Sequence, residues 1–172
     1  MSDKKMLKVG FLSPNDDRIR FKEVDFSNSE SYDKEIVSVI SPTGNIDAGI
    51  MNLNEDLEIH NFLILFDNEM STNKGEYNFT HSISPLFGEV AFVKFGYTGD
   101  NMEPVSMLDD EAEVLSDIIY QEKTSDRAIE FKEKILEEVR IYGKDGFLRK
   151  YNESIEEAQK MYEDNFSEEE EK

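Results

Sequence analysis

The rhythm of apolar and polar positions changes once along the chain. Through residues 6 to about 97, apolar residues come in short runs divided by turn-forming clusters, which predicts strands. "MLKVGFL" and "RIRFKEV" flank "SPNDD" and predict a hairpin. "SNSESYDKEI" is polar and fits a short helix or a loop. "EIVSVISPTGN" predicts a strand that ends at a Pro-Thr-Gly turn, with "IDAGIMNL" following as its partner. "NFLILF" is apolar throughout, so a buried strand and a helix fragment both fit it. "EYNFTHSI" predicts a strand after the polar loop "DNEMSTNKGE". "FGEVAFVKFGY" predicts another, with Val90 and Phe92 on one face and Ala91, Val93 and Phe95 on the other. Apolar residues on both faces imply a central strand covered on both sides. "YTGDNMEP" then breaks the chain.

From Ser106 the spacing becomes helical. A first helix is predicted over 107–121, with Leu108, Ala112, Leu115 and Ile119 as its inner stripe and Ser106 as its cap. A second is predicted over 125–142, stopping at Gly143, with Ala128, Phe131, Ile135, Val139 and Tyr142 inward. A third is predicted over 146–164, where Leu148, Tyr151, Ile155, Ala158 and Tyr162 share a face. The expected fold is therefore α+β, an antiparallel or mixed sheet from residues 6–97 covered by C-terminal helices. The expected organisation is an α+β domain over 1–121, a helical pair over 122–166 that packs on it or projects, and a disordered acidic tail over 167–172.

Charge adds a second pattern. The 172 residues carry 39 acids against 19 bases, a net charge of −20. Such a balance argues against direct contact with nucleic acid or an anionic membrane surface, both of which need a basic footprint. It favours a basic partner, or none. The second and third helices space Glu before Lys by four residues, at Glu130–Lys134 and Glu156–Lys160, the stabilising order. The first helix has no such relief. Asp109, Glu113 and Asp117 stack on one stripe, four residues apart.

The omission extends beyond that helix. Between Lys94 and Lys123 lie eight acids and no Lys or Arg: Asp100, Glu103, Asp109, Asp110, Glu111, Glu113, Asp117 and Glu122. Between Lys34 and Lys74 lie seven: Glu35, Asp47, Glu55, Asp56, Glu58, Asp67 and Glu69. Carboxylates on a rigid frame imitate phosphates, so these windows are candidate partner-binding surfaces. The residues singled out are Asp100, Glu103, Asp109, Asp110, Glu113, Asp117, Glu55, Asp56 and Glu58. The competing reading is a merely solvating acidic surface.

Motifs for catalysis are sparse. The chain has no Cys, which removes disulfides and thiolate chemistry. His60 and His81 stand outside any metal-ligand spacing. GxGxxG and the phosphate-loop lysine signature are absent. "DNEMSTNKGEYN" has the length of a calcium loop, but Thr72 takes the position that requires Gly and Asn78 the position that requires Glu. Asp67 and Glu69 follow an apolar segment and are the one pair that suggests a metal-dependent activity. No cofactor is expected. The longest apolar run, "FLILF", is far short of the ~20 residues that span a bilayer, and the N-terminus lacks a signal-peptide core.

The order "LKVGFLSPNDDRIRFKEVD", "SESYDKEIVSVI", "IDAGIMNLNEDLEIHNFLI", "FGEVAFVKFG" and "EPVSMLDDEAEVL" resembles a small domain family of unknown function carried by phages, plasmids and conjugative elements. The resemblance spans residues 7 to 119 and implies a mobile-element setting in a bacterial cytoplasm; it supplies no catalytic residues. The leading expectation is a non-enzymatic inhibitor or modulator that binds a basic, nucleic-acid-handling host protein by mimicking nucleic acid. The alternative is a structural or adaptor module that self-associates through its C-terminal helices. Sequence leaves the oligomeric state open.

Overall fold

A computed structural model of the protein describes residues 5–41, 44–51, 62–67, 75–81 and 84–170. The fold is α+β, an antiparallel sheet of six strands with C-terminal helices. The elements are β1 (Met6–Leu12), β2 (Arg20–Asp25), α1 (Ser29–Tyr32), a π-helical turn (Asp33–Val37), α2 (Ser38–Ile40), β3 (Ile46–Met51), β4 (Phe62–Asp67), β5 (Tyr77–His81), β6 (Ser84–Phe87), β7 (Val90–Thr98), β8 (Asn101–Val105), α3 (Asp109–Thr124) and α4 (Asp126–Glu170). The chain divides into two compact units, Met1–Glu130 and Phe131–Lys172.

In the first unit the strand order is β2-β1-β7-β4-β3, with β8 also paired to β7. The expected β1–β2 hairpin is present, with Gly10 opposite Phe21. β7 is the central strand. Its first residues pair with β1, Gly10 opposite Phe92. Lys94 pairs with Phe62 of β4 on one side and Val105 of β8 on the other. β8 therefore continues β1 along the same edge of β7. The two meet where the N–H of Lys8 donates to the Ser106 hydroxyl at 3.1 Å. β5 and β6 form a separate two-stranded ribbon.

Strand alternation sorts the core into two layers. Leu12, Phe62, Ile64, Val90 and Phe92 face Ala112, Leu115 and Ile119 of α3, and Phe79 and Leu86 of the ribbon join them. Val9, Phe11, Leu65, Ala91 and Val93 face Ile36 and Ile40 of the short helical segment. The sheet is thus covered on both faces, as the two-sided apolar pattern of β7 requires. Full burial of a side chain such as Phe92 contributes about 2–3 kcal/mol.

Three expectations change. "EIVSVI" is helical, not a strand. Ile36 and Ile40 lie four residues apart, and that interval shares a face in a helix and in a strand alike, so the pattern alone did not discriminate. β3 accordingly pairs with β4, Ala48 opposite Leu65. β6 and β8 were not anticipated, because Pro85, Pro104 and the glycine turn at Gly99 read as breaks. The first helix starts at Asp109 rather than 107, and Ser106 does not cap it, since its hydroxyl already accepts from Lys8.

In the second unit, Gly143 is non-helical (φ 75°, ψ 162°), a left-handed conformation that favours glycine and stops the helix where the sequence places its end. Helical backbone resumes and reaches Glu170. Among the described residues of this unit Ile135 and Phe147 are buried, whereas Phe131, Tyr142 and Tyr162, expected on inner faces, are exposed.

Candidate functional site

α3 forms because its apolar residues recur at helical spacing and its first turn is acidic, which suits the N-terminal dipole. Burying Ala112, Leu115 and Ile119 on the sheet fixes which face looks outward. Asp109, Asp110, Glu113 and Asp117 are all exposed along that face. The sequence grouping of these four acids is therefore retained on one side of one helix.

Their isolation from cations is not uniform. Lys8 of β1 donates to Asp109 at 2.7 Å. Lys94 of β7 reaches Glu111 at 2.7 Å, and that carboxylate also accepts from the N–H of Leu108 at 3.0 Å. The apparent lack of relief within α3 is thus corrected at its first turn. Relief comes from strands, across 101 residues in one case and 17 in the other, where no i,i+4 rule looks. Hydrogen bonding and the charge of Lys8 hold the Asp109 carboxyl below the usual carboxylate range. The carboxylates of Asp110, Glu113 and Asp117 have no ion pair or hydrogen bond among the described residues.

The remaining site residues fall in different places. Glu103 is exposed on β8 opposite Gly96, on the register face of Lys94 and hence of α3. Asp100 is exposed in the turn after β7, about 15 Å along the hairpin from its α3 end. Glu55, Asp56, Glu58 and Glu69 lie outside the described residues. Asp67 is fully buried and accepts from the Ser41 hydroxyl at 3.0 Å, a structural role at the end of β4. Among the described residues no group of three or more potential ligands could hold a metal ion. No described helix is long and apolar enough to cross a membrane.

Two features went unnoticed in the sequence. The Lys123 ammonium, in the last turn of α3, donates to the carbonyls of Ser13 (3.2 Å), Pro14 (3.1 Å) and Asp16 (2.5 Å) and to Asn78 Oδ1 (3.0 Å). Asn78 is buried and donates in turn to the carbonyls of Leu12 and Gly88, both at 2.9 Å. Lys123 thereby ties helix, hairpin turn and ribbon together. Its one sequence signal is a lone lysine in the last turn of an acidic helix. Beside the same turn, Asp16, Asp17, Arg18, Arg20 and Tyr120 line an open cavity of about 450 Å³. The Arg18 guanidinium lies 4.2 Å from the centroid of the Tyr120 ring, a cation–π contact. Two acids and two bases balance that lining, and it contains no nucleophile with an adjacent base.

No protein-family model matches the chain, and no curated protein or solved structure matches it. The geometry of the acidic helix face stands as the basis for a functional reading.

Proposed function

We propose that the protein acts by binding rather than by catalysis, presenting the outward face of α3 to a basic protein surface that normally handles nucleic acid. One observation carries this reading. The fold supplies Lys8 to Asp109 and Lys94 to Glu111, and leaves Asp110, Glu113 and Asp117 exposed with no ion pair among the described residues. Compensation reaches Asp109 at the start of the outward stripe and goes no further along it.

Magnitudes bound the claim. Asp109 to Asp117 spans about 12 Å at 1.5 Å per residue. The same length of B-DNA axis carries about seven phosphate charges. Three uncompensated carboxylates are under half that density, so the stripe acts as a partial mimic of a phosphate row. The mobile-element setting implied by the family resemblance suits an inhibitor or modulator of a host enzyme, and is part of this proposal.

The test is affinity capture from a bacterial lysate with the wild type and with D110N/E113Q/D117N, eluted along a salt gradient. The expected partner binds DNA or RNA, leaves the wild type as salt rises, is displaced by added duplex, and is absent from the variant eluate. Equal capture by the two proteins, or a captured partner indifferent to salt and duplex, overturns the reading.

A further inference from the structure

The second unit shows a stripe whose two halves complement each other. Tyr142, Gly146, Lys150, Glu153, Glu157 and Met161 are spaced by four, four, three, four and four residues, which keeps the five after Gly143 on one side of a helix. The Lys150 ammonium lies 3.8 Å from the Tyr142 ring centroid, so the stripe carries across the break at Gly143. Tyr142 is 50% exposed and Met161 67%, and Lys150, Glu153 and Glu157 are exposed as well. Gly146 is the one small residue among them. A Cβ there would come within 3.2 Å of Tyr142 Cβ.

The spacing reads the same in both directions about the Tyr151–Asn152 midpoint. A two-fold axis at that point pairs the stripe of one chain with the stripe of a second. Tyr142 then meets Met161, an aromatic–thioether contact. Gly146 meets Glu157, where the lack of a side chain gives room. Lys150 meets Glu153, an opposite-charge pair. Each contact occurs twice, as an isologous interface requires.

Charge selects the antiparallel orientation and opposes the parallel one. Residues 144–150, after the break at Gly143, hold three bases against one acid. Residues 151–164 hold five acids against one base. In the antiparallel pair the basic half of each copy lies along the acidic half of the other. In a parallel pair the acidic halves lie together and repel. We infer that the Tyr142–Met161 stripe of α4 is a self-association surface, occupied by a second copy of this chain in antiparallel orientation.

Sedimentation equilibrium of the full chain, over a range of loading concentrations, tests this. The expected result is a monomer–dimer equilibrium. K150E and E153K each place like charges opposite one another twice, and each should raise the dimer dissociation constant by about tenfold or more. K150E/E153K restores opposite charges across the two-fold axis and should return the dissociation constant towards that of the wild type. Circular dichroism on each variant separates lost pairing from lost helix. A chain that stays monomeric at every concentration overturns the inference. So does a dimer that both single variants leave unchanged, or a double variant that dimerises no better than the singles.

Discussion

Lys94 on the central strand and Glu111 in the first turn of α3 meet at 2.7 Å, with only 22% and 9% of their side chains exposed. This pair fixes where the acidic helix sits, because Glu111 simultaneously accepts from the N–H of Leu108 just before the helix. Removing one partner leaves a largely dehydrated charge alone. Glu111→Ala should therefore cost about 2–3 kcal/mol, and Lys94→Met a similar amount. Urea unfolding of the two single variants and of the double variant checks this. The double variant should lose less than the sum of the singles. Strict additivity would show that the two side chains do not interact.

Lys123 predicts a second stability effect. Its ammonium serves three carbonyls of the β1–β2 turn and the Asn78 amide oxygen. Lys123→Met keeps much of the aliphatic stem and deletes only the donors, at an expected cost of about 2–4 kcal/mol. Lys123→Arg should recover little, since a planar guanidinium cannot point its donors at acceptors arranged around a single nitrogen. Thermal unfolding with both variants distinguishes a specific clamp from a nonspecific need for positive charge. Full recovery by arginine would reject the clamp.

These two lysines show what a sequence reading reaches and what it does not. Patterns that depend on near neighbours were legible: the β1–β2 hairpin, the two faces of β7, the stop at Gly143 and the inner stripe of α3 except Leu108, which precedes the helix and is 64% exposed. Patterns closed by distant residues were not. Asp109 and Glu111 read as uncompensated because their cations come from β1 and β7. Ile36 and Ile40 have an interval common to two secondary structures, and only the opposing sheet face chooses between them. β8 carries Pro104 and follows a glycine turn, so local breakers masked a strand held in place by pairing with β7. The outward stripe of Asp109, Asp110, Glu113 and Asp117 was legible because burial of Ala112, Leu115 and Ile119 dictates the opposite face.

The Lys8–Asp109 pair makes a pH prediction. The Asp109 carboxyl is held below its ordinary range, first by the hydrogen bond from Lys8 and then by its charge. A depressed carboxyl pKa adds stability above the unfolded value of about 3.9, and that increment disappears as pH falls through the folded value. Asp109→Asn should thus lower the melting temperature slightly at neutral pH and leave it unchanged in strong acid. The Asp109 side chain is 92% exposed, so solvent and salt screen the pair and the neutral-pH difference should shrink in concentrated salt. An NMR titration of Asp109 in the wild type and in Lys8→Met gives the direct measurement. The carboxyl pKa should rise in the variant, and an unchanged value would show that Lys8 is not its cause.

The outward acids predict that binding and stability come apart. Glu113 and Asp117 stand four residues apart with like charge, which costs a few tenths of a kcal/mol. Asp110 lies in the first turn, where the helix dipole favours a negative charge by a similar amount. In D110N/E113Q/D117N the relief of repulsion and the loss of the dipole contact offset one another, so unfolding free energy should change by less than about 0.5 kcal/mol. E113Q/D117N alone should be slightly more stable than the wild type. Residues retained for folding behave otherwise, as Glu111 is expected to. Denaturation of the three proteins, set beside partner capture, separates the two roles. If the triple variant loses the partner and also unfolds readily, the acids are structural and the binding loss is secondary. If it keeps both partner and stability, the stripe is a solvated surface with no role in recognition.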